Sequence, residues 1–181
     1  MNMIAKAIVG WAKRTPYFHL HHADGSVYMG RWWLFRTPWL SARIHHIATP
    51  DFDRHFHDHP FGFVSVILSG WYVERRPTSV DPCFDGASGR ETGVIAHRRT
   101  GSVAWRRCTD RHIIDRVSPG GAWTLVFVTP KRQWWGFYTP EGKVFWADYP
   151  IMRERGQAPR TIHSEELINS QQSHTTTRER A

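Results

Sequence analysis

The chain has 181 residues, of which 40% are hydrophobic and 14% aromatic, and its 24 Lys and Arg against 16 Asp and Glu leave a net charge of +8. That length suits one domain with a sizeable core, and no apolar run reaches the roughly 18 residues that a spanning helix needs, which argues against an integral membrane protein. Cys83 and Cys108 lie in different segments with no CxxC pattern, so neither a disulfide framework nor a zinc finger is expected and a reducing cytoplasm is the expected location.

The opening MNMIAKAIVGWAKR lacks the apolar stretch and small-residue cleavage site of a signal peptide and reads as mature protein. Its Ile4, Ile8, Trp11 and Ala12 recur at helical spacing, which predicts a helix docked on the domain in preference to a membrane-surface anchor. Short runs of β-branched and aromatic residues follow at 26–36, 40–48, 61–76, 92–99, 101–107, 111–117, 122–129, 134–139 and 143–149. Turn signals separate them at 22–25, 118–121 and 140–142, and this is the pattern of an all-β sandwich or barrel. Residues 77–91, rich in Pro, Gly, Ser and Asp, read as a long surface loop. The domain is expected to span residues 1–152, and residues 153–181, ending in QQSHTTTRERA after a short helical signal at SEELINS, read as a partly disordered extension.

Positive charge raises nucleic acid as a partner, but the arginines are scattered rather than gathered in one block, so the charge supports anionic partners in general and identifies none. The chemistry is more specific in DRHFHDHPFGFVSVILSG, residues 53–70, where His55, His57 and His59 occupy alternate positions. On an extended segment all three project to one face, and two such imidazoles joined by a third from elsewhere make a site for a first-row transition metal. Taken alone, an HxH pair is equally an ordinary pair of surface histidines.

The surrounding register separates these readings. With His57 and His59 as the HxH pair, three residues lead to Phe63 and six more to Gly70; from Gly101, ten residues intervene before His112. Over about residues 40–130 the chain resembles the cupin superfamily, whose two motifs are G(X)5HXH(X)3,4E(X)6G and G(X)5PXG(X)2H(X)3N. It departs from them at Asp51 and Phe63 in the first motif, where the family has glycine and glutamate, and at Arg107, Thr109 and Arg116 in the second, where it has proline, glycine and asparagine. The resemblance implies an antiparallel cupin barrel, or double-stranded β-helix, with an N-terminal helix and a C-terminal extension. Its metal ligands would be His57, His59 and His112, without the family's glutamate, a variant seen among dioxygenases of the superfamily.

A divalent ion on three neutral imidazoles keeps its full charge and open coordination positions, so it favours a small anionic, chelating molecule. Iron(II) is the expected ion, with zinc, nickel or manganese admitted by ligand type. Arg43, Arg54 and Arg106 are candidate anchors for the far end of that molecule, and Phe63 and Trp105 candidate aromatic contacts, although Trp105, Trp123, Trp134 and Trp135 read as core by default. His45 and His55 are the candidate proton-transfer groups; Asp58 must point away from the ligands and is expected to pair with an arginine such as Arg54. Phe61, Phe63, Ser65 and Ile67 predict an aromatic, dry interior. The expected activity is that of a metal-dependent, dioxygenase-like enzyme; the alternative is a non-catalytic module that binds a metabolite, nucleotide or sugar, and a homodimer would be in keeping with exposed tryptophans.

Overall fold

The computed structural model describes residues 1–21, 26–51, 55–79, 82–85 and 91–149. The expected turn at 22–25, Arg54 and the extension from residue 153 lie outside these described residues.

Helix α1 (Met3–Ala12) starts where the Asn2 side chain accepts a hydrogen bond from the Ala5 amide at 2.8 Å, satisfying one of the free amides of the first turn. It is docked through only part of the expected stripe: Ala12 is buried with Ala5 and Val9, and Ile8 packs beside them, while Ile4 and Trp11 are 74% and 55% exposed. Val9 and Ala12 pack on Ile44, flanked by Trp32, Leu34, Leu68, Trp123 and Leu125. The bulky sheet side chains favour small helix residues at the closest contact, so Ala5, Val9 and Ala12 face inward, Ile8 packs at their edge, and Ile4 and Trp11 turn out.

The strands are β1 (Leu20–His21), β2 (Val27–Arg36), β3 (Ser41–Ile47), β4 (Phe63–Ser69), β5 (Trp71–Pro77), β6 (Gly93–Arg99), β7 (Val103–Arg106), β8 (Ile113–Val117), β9 (Ala122–Val128), β10 (Gly136–Thr139) and β11 (Gly142–Phe145). All pairings are antiparallel: a six-stranded sheet β1-β2-β3-β9-β4-β7, a three-stranded sheet β6-β5-β8, and the hairpin β10-β11. The two larger sheets pack face to face, since Ile47, Ile67 and Ala122 of one form a buried cluster with Tyr72 and Ile114 of the other. An isolated bridge joins His57 to His112, just before β8, and extends the smaller sheet on that side. The orders β3-β9-β4-β7 and 57-β8-β5-β6 together make a jelly roll. The six-stranded sheet is covered by α1 on its outer face and encloses a lumen with its inner one. Among the described residues no helix is long and apolar enough to cross a membrane.

The expected single run over 61–76 is two strands in different sheets, because the chain turns a corner at Gly70. Gly101 makes the return corner from β6 to β7. Both have positive φ, 80° and 87°, a conformation in which a Cβ is strained. Their surroundings differ: a Cβ on Gly70 would sit 2.5 Å from the Gly121 carbonyl oxygen and 2.7 Å from Ser118 Oγ, while one on Gly101 would meet nothing within 4 Å. Gly101→Ala should therefore lower the unfolding free energy by about 1 kcal/mol, the strain alone, and Gly70→Ala by about 2–4 kcal/mol, strain plus overlap with fixed backbone. Urea denaturation followed by tryptophan fluorescence measures both.

Candidate metal centre

Residues 55–59 are not the expected strand. Each amide in turn is spent on a different part of the fold: His57 N donates to His112 O at 3.1 Å, Asp58 N to Gly136 O at 3.2 Å and His59 N to Cys108 O at 3.1 Å. The return bond, His112 N to His57 O at 3.0 Å, makes the bridge reciprocal. His57 and His59 thereby come to the end of β8, where His112 enters. The ring centroids lie 5.2 Å (57–59), 5.1 Å (57–112) and 5.0 Å (59–112) apart, and one nitrogen of each ring falls within 4.8 Å of the others.

The chemistry of the donor set suits a divalent metal. His112 Nδ1 lies 3.1 Å from Glu74 Oε2, and a carboxylate held as an anion there accepts the Nδ1 proton and leaves Nε2 with its lone pair. That Nε2 lies 3.4 Å from His59 Nε2. Nitrogens each about 2.1 Å from one tetrahedral ion are separated by about 3.4 Å, so the spacing of these two suits a shared ion. Burial pulls the His57 imidazole down to about 4, and burial with the charges of His112 and His57 pulls His59 well below its ordinary value, so both rings are neutral ligands at pH 7. Nδ1 of each is buried without a hydrogen-bond partner among the described residues.

Glu74, the one acid in the run 63–77, is the residue sequence reasoning missed. It is buried, and besides His112 it pairs with Arg98 at 2.7 Å and with Arg106. Burial would raise this carboxyl, but the hydrogen bond from His112 and the nearby Arg106 and Arg98 outweigh it and hold the group well below the usual carboxylate range. A carboxylate orienting the far nitrogen of a ligand histidine fixes its tautomer and raises its basicity. Phe63 stands where the cupin motif has its glutamate, its ring 4.9 Å from that of His59, and a carboxylate enters from β5 as a partner of His112. A signal was available, since an acid between Tyr72 and two arginines in an apolar strand demands a buried partner.

Asp58 is fully buried and points away from the triad, as expected, and its partners among the described residues are Gly136 N, Gln133 Nε2, Tyr138 Oη and Lys143 Nζ; the expected partner Arg54 lies outside the described residues. These contacts tie the ligand segment to the β10-β11 hairpin. Asp51, at the place of the motif's first glycine, accepts from the Ile114 amide at 2.7 Å and donates its own amide to Ile114 O at 2.9 Å, which fastens the approach to β8.

The other candidates are distributed unevenly. His45 faces the lumen and His46 the outer layer, where it stacks on Trp123 at 4.3 Å. His55 turns away to Tyr149 Oη and the ring of Phe84. Arg43 lies on the lumen face of β3. Arg106 is buried close to His59, its terminal nitrogens already given to Glu74 and the Trp105 carbonyl. Trp105, its neighbour on β7, necessarily points outward and is 64% exposed, and Trp134 is 53% exposed, so neither belongs to the core. The lumen is not the expected aromatic, dry space: Arg31, Arg43, His45, Glu74 and Arg106 share it with Phe61 and Phe63, because inward positions of β2, β3, β5 and β7 carry charge.

Strand order and histidine cluster together define a jelly roll of the cupin type with a three-histidine site fit to hold a divalent metal ion. No family model matches the chain, and no curated protein matches it. Solved structures similar to it include the iron(II) form of HppE (16% identity, TM-score 0.45, 65% of this chain and 57% of that one). An RmlC-like cupin from Shewanella frigidimarina is similar at 17% identity and TM-score 0.43, over 67% of this chain and 88% of that one. So is a putative mannose-6-phosphate isomerase from Ralstonia eutropha, at 12%, 0.42, 57% and 85%. The chain thus spans little more than half the length of HppE. The fold is defined by the strand order, independently of these likenesses.

His59→Ala or His112→Ala should abolish stoichiometric uptake of cobalt(II) or zinc(II), and Glu74→Gln should retain the site but weaken it by about 10–100-fold; isothermal titration of chelator-treated protein measures each.

Proposed function

We propose that the protein is a metal-dependent, dioxygenase-like enzyme acting on a small anionic molecule in the lumen. The observation that carries this reading is the convergence of three imidazoles, two of them held neutral by burial, with no carboxylate among them. A divalent ion held there, iron(II) by preference with zinc, nickel or manganese as the other candidates, supplies an electrophilic centre with open coordination positions.

The chain's own groups supply the rest. Glu74 keeps the proton on His112 Nδ1, and Phe63 and Phe61, with rings 4.9 Å and 6.5 Å from that of His59, screen the centre from water. His45, pulled well below its ordinary value by burial and then by Arg31 and Arg43, is a neutral imidazole with Nε2 buried and unpartnered among the described residues. Its position on the lumen face and its unpartnered nitrogen favour it over His55 as the group that contacts an incoming hydroxyl or thiol.

The test is oxygen uptake by protein loaded anaerobically with iron(II), offered a panel of small carboxylates and phosphates. Uptake should occur with at least one of them, vanish in zinc-loaded protein and in His112→Ala, and fall by about 10²–10⁴-fold in His45→Ala. A ligand that binds the iron-loaded protein and is recovered unchanged, with no oxygen consumed, would mark a binding module instead.

A further inference from the structure

The lumen carries a second group of charges that the metal centre does not use. Arg31 on β2 lies opposite His45 on β3, and Trp33 opposite Arg43, so all four share one face of the six-stranded sheet. The Arg43 guanidinium lies over the Trp33 ring at 4.0 Å and over the Phe61 ring at 5.2 Å. Such contacts occupy the faces of the cation and leave its in-plane N–H groups, which are the ones that recognise oxyanions in pairs. Its Nε is buried without a partner among the described residues. Arg31 is placed similarly, over Phe18 at 4.6 Å, with one long bond from Nε to the Phe18 carbonyl at 3.5 Å.

What distinguishes the pair is the missing counter-charge. Arg75, Arg98, Arg106 and Arg111 each meet a carboxylate, but among the described residues no carboxylate pairs with Arg31 or Arg43. Burial pulls Arg31 down to about 10, and burial with the charges of Arg31 and Arg36 pulls Arg43 down to about 9. Both remain cations at neutral pH, on one face of the sheet with no acid paired to either among the described residues, an arrangement that an anion relieves. Phe61 links this cluster to the metal centre, for the ring under Arg43 is also the one 6.5 Å from His59.

We propose that Arg31 and Arg43, with His45 beside them, form an oxyanion subsite that holds the far carboxylate or phosphate of a molecule whose other end reaches the His57–His59–His112 centre. The second half of this statement rests on the function proposed above; the anion site itself does not. Both ends border the Phe61 ring, which selects a molecule with a reactive group at one end and an oxyanion at the other.

The test uses chelator-treated full-length protein, so that metal plays no part, titrated calorimetrically with inorganic phosphate and, separately, acetate. At least one should bind saturably at a single site; tighter phosphate assigns a phosphoryl group and tighter acetate a carboxyl. Arg43→Gln and Arg31→Gln should each weaken binding at least tenfold and Arg43→Lys should restore part of it, while Arg107→Gln on the outer surface should change nothing. Should the glutamine variants fail to fold, Arg43→Lys and Arg31→Lys, which keep the charge but lose the paired donors, should still each weaken binding severalfold. No saturable binding of either anion, or binding unaltered by changes at both arginines, overturns the subsite. Protein that binds the anion but takes up no metal keeps the subsite and loses the proposed enzyme, whereas oxygen consumption without anion binding does the reverse.

Discussion

A reciprocal pair of backbone hydrogen bonds between His57 and His112 underlies the site. Each donates its amide to the other's carbonyl, at 3.1 and 3.0 Å, so two residues far apart in the chain are joined without using either side chain. The same bridge, with a second from His57 to Phe137, places the stretch around residue 57 between the smaller sheet and the β10-β11 hairpin. Fold closure and ligand convergence are thus one event. The buried Asp58, bound by Gln133, Tyr138, Lys143 and the Gly136 amide, holds the segment from its other side.

Around that bridge the charges of the lumen are sorted. On the β5 side, Glu74 gathers His112, Arg98 and Arg106 into one compensated network, and a buried carboxylate with several partners is stable as an anion. On the β2-β3 side, Arg31 and Arg43 lean on aromatic rings and pair with no acid among the described residues. The imidazoles lie between a side whose charges are balanced and one whose charges are not. On the proposed function, an anionic molecule entering the lumen would be drawn toward this second side.

Spacing made much of this legible in the sequence. The glycines at 70 and 101 that frame the two motifs are the corners where the chain changes sheets, and their positive φ explains why glycine stands there. The histidine register survives the loss of the motif's glutamate because ligand placement depends on backbone bridging, which side-chain identity at residue 63 does not control. Parity was harder to read. Only the cross-strand register decides that His45 rather than His46 faces inward, or that Arg106 is buried while Trp105 is exposed. A period-two pattern of histidines suggested a strand at 55–59, but three amides bound to three separate segments make an irregular stretch. Glu74 stayed hidden because its partners come from β6, β7 and the start of β8, contacts that no local pattern encodes.

X-ray absorption spectroscopy of the cobalt- or zinc-loaded full chain tests the convergence of the imidazoles most directly. The account predicts three imidazole nitrogens about 2.0–2.1 Å from the ion, with the remaining positions filled by light atoms from solvent. A first shell with fewer than three imidazoles, or one containing the Cys108 sulfur, would contradict it.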